Sequence, residues 1–452
     1  MKLIAAILLL AATLPTNVQK TVRQLDAKGG KLENSVWGIL AVNFQGDTLA
    51  QLNMGKRLAP ASNMKLVTTA AAYLKLGRNY TFKTQLATDG EIRDTTLFGN
   101  LYIIGGGDPL IGDLFTYLPK EDIPFGKWRK VLEDKGIRRI EGDIVGDGSY
   151  FCGERRHTDW STEDEISKDG VVPAGLTWRG KMGDSIPDGP LAAATHFRRW
   201  LIANGITVTG EAGSTVYSAT ATHGITPENK FSGGPDRLTQ KTSVNGSPAS
   251  PADTTSGLPD SLAILGIAQS ASLNHIITIT NHQSDNFCAE TLLKAIGKAN
   301  NGSDDYDTAT EALHRALSPI GMAGPSAKMR FADGSGLSRK NFISPEFIVG
   351  ILMGMSRTSL YKDYLGSLPR PGCKDGTLLA RLPKAPAAVK NRIYMKSGSL
   401  GGVRCFSGYI LPSDGNTRKT IAFSIMVNNY VGKSSELTQA LDNLILELAN
   451  EN

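Results

Sequence analysis

The spacing of apolar positions marks out elements before any single residue suggests chemistry. Ser35 to Phe44 is rich in β-branched and aromatic residues, and Thr48 to Asn53 repeats that character after Gln45-Gly46-Asp47, so the pair reads as a hairpin. Val18 to Lys28 reads as a helix closed by Gly29-Gly30. From Ala61 to Leu76, Met, Leu, Val and Ala recur at helical spacing until Gly77 ends the segment. Near residue 89 the pattern breaks into short strands and glycine joints such as Gly105-Gly106-Gly107-Asp108-Pro109. It runs on to a Ser/Thr/Pro/Gly stretch between Val244 and Leu258 with the composition of a linker. Helical spacing returns at Phe287 to Ile296, Asp307 to Leu317 and Ser344 to Met355, the last with Ser344 as expected cap and Pro345 in the first turn. Arg392 to Lys396, Phe406 to Leu411 and Thr420 to Val427 read as strands. Ser434 to Leu448 sets Leu437, Leu441, Leu444, Ile445 and Leu448 on one side and Asp442 and Glu447 on the other, the pattern of a helix packed on a core.

At 452 residues the chain holds about three average domains' worth of sequence, and 40% hydrophobic with 20% charged residues excludes disordered, collagenous and coiled-coil classes. A net charge of +6 is mild at this length, compatible with an anionic surface but lacking the basic stripe that nucleic-acid binding demands. Lys2 followed by the apolar run Leu3 to Ala12 reads as a secretory signal within residues 1–17, too short for a stable membrane anchor. The expected location is therefore outside the cytoplasm, in a periplasm or cell envelope. Four cysteines, Cys152, Cys288, Cys373 and Cys405, form no cluster with histidine, so no metal site and no catalytic thiol is expected.

The familiar catalytic templates fail one by one. Gly432-Lys433-Ser434 resembles the end of a phosphate loop, but Val427 stands where that loop needs glycine. No serine has glycine at both −2 and +2, and the six histidines have neither HExxH nor any metal spacing. A hydrolase built on this chain has to work without histidine. Ser62-Asn-Met-Lys65, Ser284-Asp285-Asn286 and Lys396-Ser397-Gly398 together supply that chemistry. Singly each motif is weak, since Ser359-Leu-Tyr-Lys362, Ser243-Val-Asn245 and Ser272-Leu-Asn274 are chance matches of the same kind. Ser62, however, follows Pro60-Ala61 at the head of an apolar helix, which puts Lys65 one turn away and points backbone N–H groups at the serine. A serine hydroxyl needs a base, and lysine serves when burial and a second cation make its neutral form accessible; Lys396 is the candidate second cation. Ser284 is placed to relay a proton to the leaving amine and Asn286 to hold a substrate amide. Ser397 offers a hydroxyl, and Gly398 leaves the backbone open to an extended peptide.

In this order the three motifs resemble those of penicillin-binding proteins and serine β-lactamases. The chain is closest in character to the D-alanyl-D-alanine carboxypeptidase/endopeptidase family of class C, type 4 penicillin-binding proteins (peptidase family S13). Pro60 to Ala72, Asn100 to Pro109, Ser284 to Leu293, Asp333 to Arg339, Asp375 to Leu378 and Lys396 to Gly402 all look like that family's segments. Ser397 replaces the usual threonine, and the stretch from about Arg155 to Asp184 diverges. The resemblance implies an α+β fold: a transpeptidase-like domain, an antiparallel sheet flanked by helices, formed by residues 18–88 and 266–452, with a large inserted β-rich part over 89–265. It implies hydrolysis of peptidoglycan stem peptides through a Ser62 acyl-enzyme, covalent inhibition by β-lactams, and an oxyanion site between the N–H groups of Ser62 and Ser399. No cofactor is implied, no nucleic-acid partner is expected, and assembly into a homo-oligomer stays open.

The family also carries an insert-domain acid in a tryptophan-containing stretch. Its counterpart here is Asp159-Trp160-Ser161-Thr162-Glu163-Asp164, so Asp164 is the candidate reader of the stem peptide's diamino acid ammonium, beside the alternative of a solvated acidic loop. Two rival functions stay in view. A class A β-lactamase requires a glutamate in an ExxLN context between the second and third motifs, and Glu290, Glu311 and Glu346 lack it. A non-catalytic wall-binding or β-lactam-sensing module would not need Ser62, Lys65, Ser284, Asn286 and Lys396 together.

Overall fold

In a computed structural model of the chain, the structure describes residues 20–21, 34–112, 124–153, 157–160, 173–179, 189–215, 258–259, 261–431 and 433–450. The expected signal segment, most of the helix read over Val18 to Lys28, and the linker stretch before Leu258 lie outside them. In chain order the strands are β1 (Val36–Asn43), β2 (Thr48–Leu52), β3 (Lys83–Thr88), β4 (Glu91–Arg93), β5 (Thr96–Phe98), β6 (Leu101–Ile104) and β7 (Arg139–Glu141). They continue with β8 (Ile144–Asp147), β9 (Thr207–Val208), β10 (Ala212–Ser214), β11 (Ala263–Gln269), β12 (Ile393–Leu400), β13 (Val403–Ile410) and β14 (Ile421–Asn428). The described chain divides into two compact units, one of residues 1–71, 278–285 and 314–452, the other of residues 72–277 and 286–313.

The first unit is built on a five-stranded antiparallel sheet ordered β12-β13-β14-β1-β2, so the chain's beginning and end meet at its centre. Every residue of β14 and six of the eight residues of β1 are buried, which is why both read as continuous apolar runs rather than alternating ones. One face carries the C-terminal helix Ser434–Asn450, whose Leu437, Leu441, Leu444, Ile445 and Leu448 join Trp37, Phe406, Ile425 and Val427 in one core. At about 1.5–3 kcal/mol for each fully buried aliphatic side chain, this stripe contributes roughly 10 kcal/mol of gross burial. On β1, a side-chain carbon at Gly38 would meet Leu58 at 2.8 Å and Pro345 at 2.9 Å, so a helix packs there only because glycine leaves room. That helix, Pro345–Met355, is capped as expected by Ser344, whose side chain accepts from the Phe347 N–H. The Ser359 decoy sits exposed in the turn that follows.

The second unit contains a five-stranded mixed sheet, β10-β8-β6-β3-β11, and a four-stranded one, β4-β5-β7-β9. Its core gathers Leu86, Leu101, Ile103, Ile140 and Ile144 with Phe125 and Trp128 of helix Pro124–Asp134 and Phe197 of helix Gly189–Ala203. Helix Asn286–Asn301 buries Lys294 completely. Its ammonium lies 3.5 Å from Asp304, which also faces Lys298 at 3.4 Å and accepts the N–H groups of Cys152 and Gly153. Burial holds the Lys294 ammonium below the usual lysine range despite the opposing pull of Asp304.

Candidate active site

Ser62 is presented by a short 3-10 turn, Ala61–Asn63, that runs into helix Met64–Leu76, so the regular helix begins two residues after the serine rather than before it. Ala61 enters the turn with φ of 46°, a left-handed conformation costly for a residue with a Cβ. Gly336, itself at φ +86°, is pressed so close that a Cβ there would lie 1.8 Å from the Ala61 carbonyl oxygen. Ser62 is half-buried, whereas Lys65 is fully enclosed. Lys65 Nζ lies 3.0 Å from Ser62 Oγ and donates to the Ser335 carbonyl at 2.8 Å. The helical register thus delivers the lysine to the serine, and a carbonyl from a distant turn holds it there.

That turn has its own scaffold. The buried Asp333 carboxylate accepts from the N–H groups of Gly336 and Ser338 and from Asn341 Nδ2, the first and last at 2.8 Å. Thr68, from the Ser62 helix, donates to the Gly334 carbonyl at 2.7 Å. Sequence reasoning noted Asp333-Gly-Ser-Gly only as a family-like segment and assigned Ser335 no role. A carbonyl donates no residue-type signal, and the aspartate followed by glycines was its only trace.

The second pair comes from two other stretches of chain. Ser284 lies in the short connection after helix Leu273–His282, with φ of 58°, again left-handed. Lys396 Nζ donates to Ser284 Oγ and to the Ser397 carbonyl, both at 2.8 Å. Lys396 is completely buried. Burial first, and the charge of Lys65 second, hold its ammonium well below the usual lysine range. The two ammonium groups repel, so charge on Lys65 disfavours charge on Lys396.

β12 supplies Lys396 from the edge of the sheet, and the strand runs past the expected Lys396 to Leu400. Along it Lys396 and Gly398 are buried, Ser397 is half-buried and Ser399 exposed, the alternation of a pleated strand. A Cβ on Gly398 would stand 2.6 Å from the Pro60 carbonyl oxygen, so glycine lets the edge strand close on the Ser62 turn. Asn286 opens helix Asn286–Asn301, two residues beyond Ser284. Thr377 Oγ1 meets Ser397 Oγ at 3.1 Å, a contact no spacing rule anticipated.

Asp164 lies outside the described residues, while its neighbour Trp160 is buried with its ring 6.1 Å from that of Tyr306. All four cysteines are free thiols, and burial pushes the Cys405 thiol up to about 12.

The sequence profile described as the D-Ala-D-Ala carboxypeptidase 3 (S13) family matches residues 18–182 and 197–448. The chain belongs to the S13 family. This S13 chain is 27% identical to the D-alanyl-D-alanine carboxypeptidase of Actinomadura sp. (strain R39) over 89% of its own length and 79% of the relative's. Its fold matches the crystal structure of penicillin binding protein 4 (dacB) from Haemophilus influenzae with a TM-score of 0.68 at 21% identity, covering 96% and 98% of the two chains. It also matches the penicillin G acylated form of Bd3459, a predatory endopeptidase from Bdellovibrio bacteriovorus, with a TM-score of 0.53 at 17% identity over 92% of each. The S13 enzyme is a serine peptidase of D-Ala-D-Ala type, and its fold is the α+β one of penicillin-binding proteins. Among the described residues, no helix is long and apolar enough to cross a membrane.

Proposed function

We propose that Ser62 is the nucleophile of this peptidase and Lys65 its base, acting on the D-Ala-D-Ala end or D-Ala cross-link of peptidoglycan stem peptides. The observation that carries the reading is the 3.0 Å separation of Ser62 Oγ from the Nζ of a fully buried lysine. In the neutral form Lys65 takes the hydroxyl proton while Oγ bonds to the carbonyl carbon of the penultimate D-Ala. The carbonyl oxygen becomes an oxyanion facing the Ser62 and Ser399 N–H groups. Collapse of the tetrahedral adduct breaks the C–N bond, and Lys65 returns the proton it took, through Ser284, which Lys396 keeps oriented, to the leaving amine, so that the base is neutral again. Water then attacks the ester carbon, loses its proton to the same base, and returns Ser62. Asn286 holds the substrate amide. The Ser397 hydroxyl meets the leaving group's carboxylate, and the buried charge of Lys396 adds attraction at longer range.

A β-lactam enters by the same first step, but its opened ring stays tethered and the acyl-enzyme persists. The apolar segment Leu3–Ala12 supports a periplasmic or cell-envelope site of action. Intact mass spectrometry after exposure to benzylpenicillin tests the assignment: the wild-type protein gains the whole mass of the drug on Ser62, and Ser62→Ala gains nothing while keeping its thermal melt. Labelling of the alanine variant would overturn it.

A further inference from the structure

We propose that Thr377 is a positioning residue for the Ser397 hydroxyl, and that the two hydroxyls together form the seat for the carboxylate of the leaving group. This inference rests on the D-Ala-D-Ala peptidase reading above.

The loop carrying Thr377 is tied to both elements that flank the reacting groups. The Thr377 N–H donates to the His282 carbonyl at 3.0 Å, and Gln283 Nε2 donates to the Asp375 carbonyl at 2.8 Å, which fixes the loop to the connection bearing Ser284. On the other side the Met395 N–H donates to the Pro369 carbonyl at 3.0 Å, which joins the start of the same loop region to β12 beside Lys396. Within the loop the Gly372 N–H closes onto the Leu378 carbonyl at 3.0 Å. Gly376 keeps the approach to His282 open, since a Cβ there would lie 3.0 Å from Pro369 and 3.2 Å from the His282 carbonyl oxygen. A loop stitched at both ends holds its side chain in a fixed place.

That side chain ends 3.1 Å from Ser397 Oγ, with Thr377 exposed and Ser397 half-buried. Ser397 needs such a partner. With one heavy substituent on Cβ it has three staggered wells open, where a β-branched residue in a strand is restricted by its methyl group. A fixed hydroxyl partner selects among those wells, so Thr377 supplies from a neighbouring loop the order that β-branching supplies from within. Lys396 does not take over the role, because its enclosed ammonium already faces Ser284 Oγ and the Ser397 carbonyl. An anion arriving along the edge of β12 meets the two hydroxyls first. In the free protein one donates to the other, whereas a carboxylate offers two acceptor oxygens and accepts from both.

The test uses two thioesters of an acylated D-Ala that differ only in the leaving group, mercaptoacetate in one and its methyl ester in the other. In Thr377→Val, which keeps shape and loses the hydroxyl, kcat/KM falls about tenfold for the carboxylate substrate, about 1.4 kcal/mol. It changes less than about twofold for the ester, and Thr377→Ser recovers the carboxylate rate to within about twofold. Equal losses on both substrates, or no loss on either, would overturn the role of Thr377 while Ser62-dependent turnover upholds the peptidase reading. Absence of Ser62-dependent turnover of both thioesters by the wild-type protein would overturn both. Should the valine variant melt early, Thr377→Ala is held to the same pair of rates.

Discussion

Removing the Asp333 carboxylate tests whether the Ser335 turn is what holds Lys65, the proposed base, in place. In Asp333→Ala the N–H groups of Gly336 and Ser338 and the amide of Asn341 lose a shared acceptor inside a buried turn. A buried donor left unmade costs about 1–3 kcal/mol, and water entering the vacated space recovers part of it, so the expected loss is about 4 kcal/mol. For a cooperative unit of 150–250 residues that is roughly an 8–16 °C fall in the melting midpoint. Asp333→Asn keeps one acceptor oxygen and should lose about half as much. Because the Ser335 carbonyl lies 2.8 Å from Lys65 Nζ, relaxation of the turn also frees the lysine from Ser62. Acylation by benzylpenicillin in the folded variant at low temperature should therefore slow by about 100-fold, the scale expected when a general base is mispositioned. Calorimetry and stopped-time mass spectrometry read the two effects separately. An alanine variant that melts within about 2 °C of wild type and acylates at the wild-type rate would refute the claim that this turn supports the base.

Lys65→Arg keeps a charge but cannot give up a proton, so acylation should be nearly abolished, as measured by fluorescent penicillin labelling over hours; an unchanged rate would assign the base elsewhere. A lysine acts as general base only in its neutral form, so the acylation rate should climb as pH rises toward the alkaline side. Stability should rise with it across the window from the lowered Lys396 titration up to 10.5, since there the unfolded chain binds the proton that the folded Lys396 refuses. A flat or falling rate on the alkaline side, short of denaturation, would contradict this. In the second unit, Asp304→Ala takes a carboxylate away from the buried Lys294, which keeps its bond to the main-chain carbonyl of residue 304, and should cost about 3 kcal/mol by denaturant titration, whereas Asp304→Asn, still able to accept from Cys152 and Gly153, should cost less.

The elements with one strong period were legible: the β1 and β2 hairpin, the Ser62 helix, and the stripe of Leu437, Leu441, Leu444 and Leu448. Helix Leu273–His282 was not, since Ile276, Ile277, Thr278, Ile279 and Thr280 favour a strand when taken alone and become helical only through packing. β12 was read short for the opposite reason. Ser397-Gly398-Ser399 has turn composition, yet its backbone pairs with Phe406, Cys405 and Arg404. The three short motifs pointed to Ser62, Lys65, Ser284 and Lys396 because a motif specifies side-chain identity, and the proposed chemistry rests on those side chains. Ser335 and the loop of Thr377 escaped because they work through a carbonyl and through chain geometry, which leave little mark on residue identity. The left-handed conformations at Ala61 and Ser284 had no precursor in composition, for neither residue favours them.

β12 ends its sheet with a rim of backbone groups that no other strand of that sheet covers. Soluble proteins ordinarily blunt such rims with charge, proline or a covering loop, because an uncovered strand recruits any extended chain, another copy of itself included. Here the Pro369 carbonyl takes the Met395 N–H, and a peptidase proposed to receive its substrate as an added strand has to leave the remainder of the rim, from Ser397 to Leu400, open and accept the hazard. Its inhibitors need not be reactive: a short extended peptide whose backbone matches the register of Ser397 to Leu400 competes by ladder formation alone, and self-association through the same edge would compete with substrate in proportion to protein concentration.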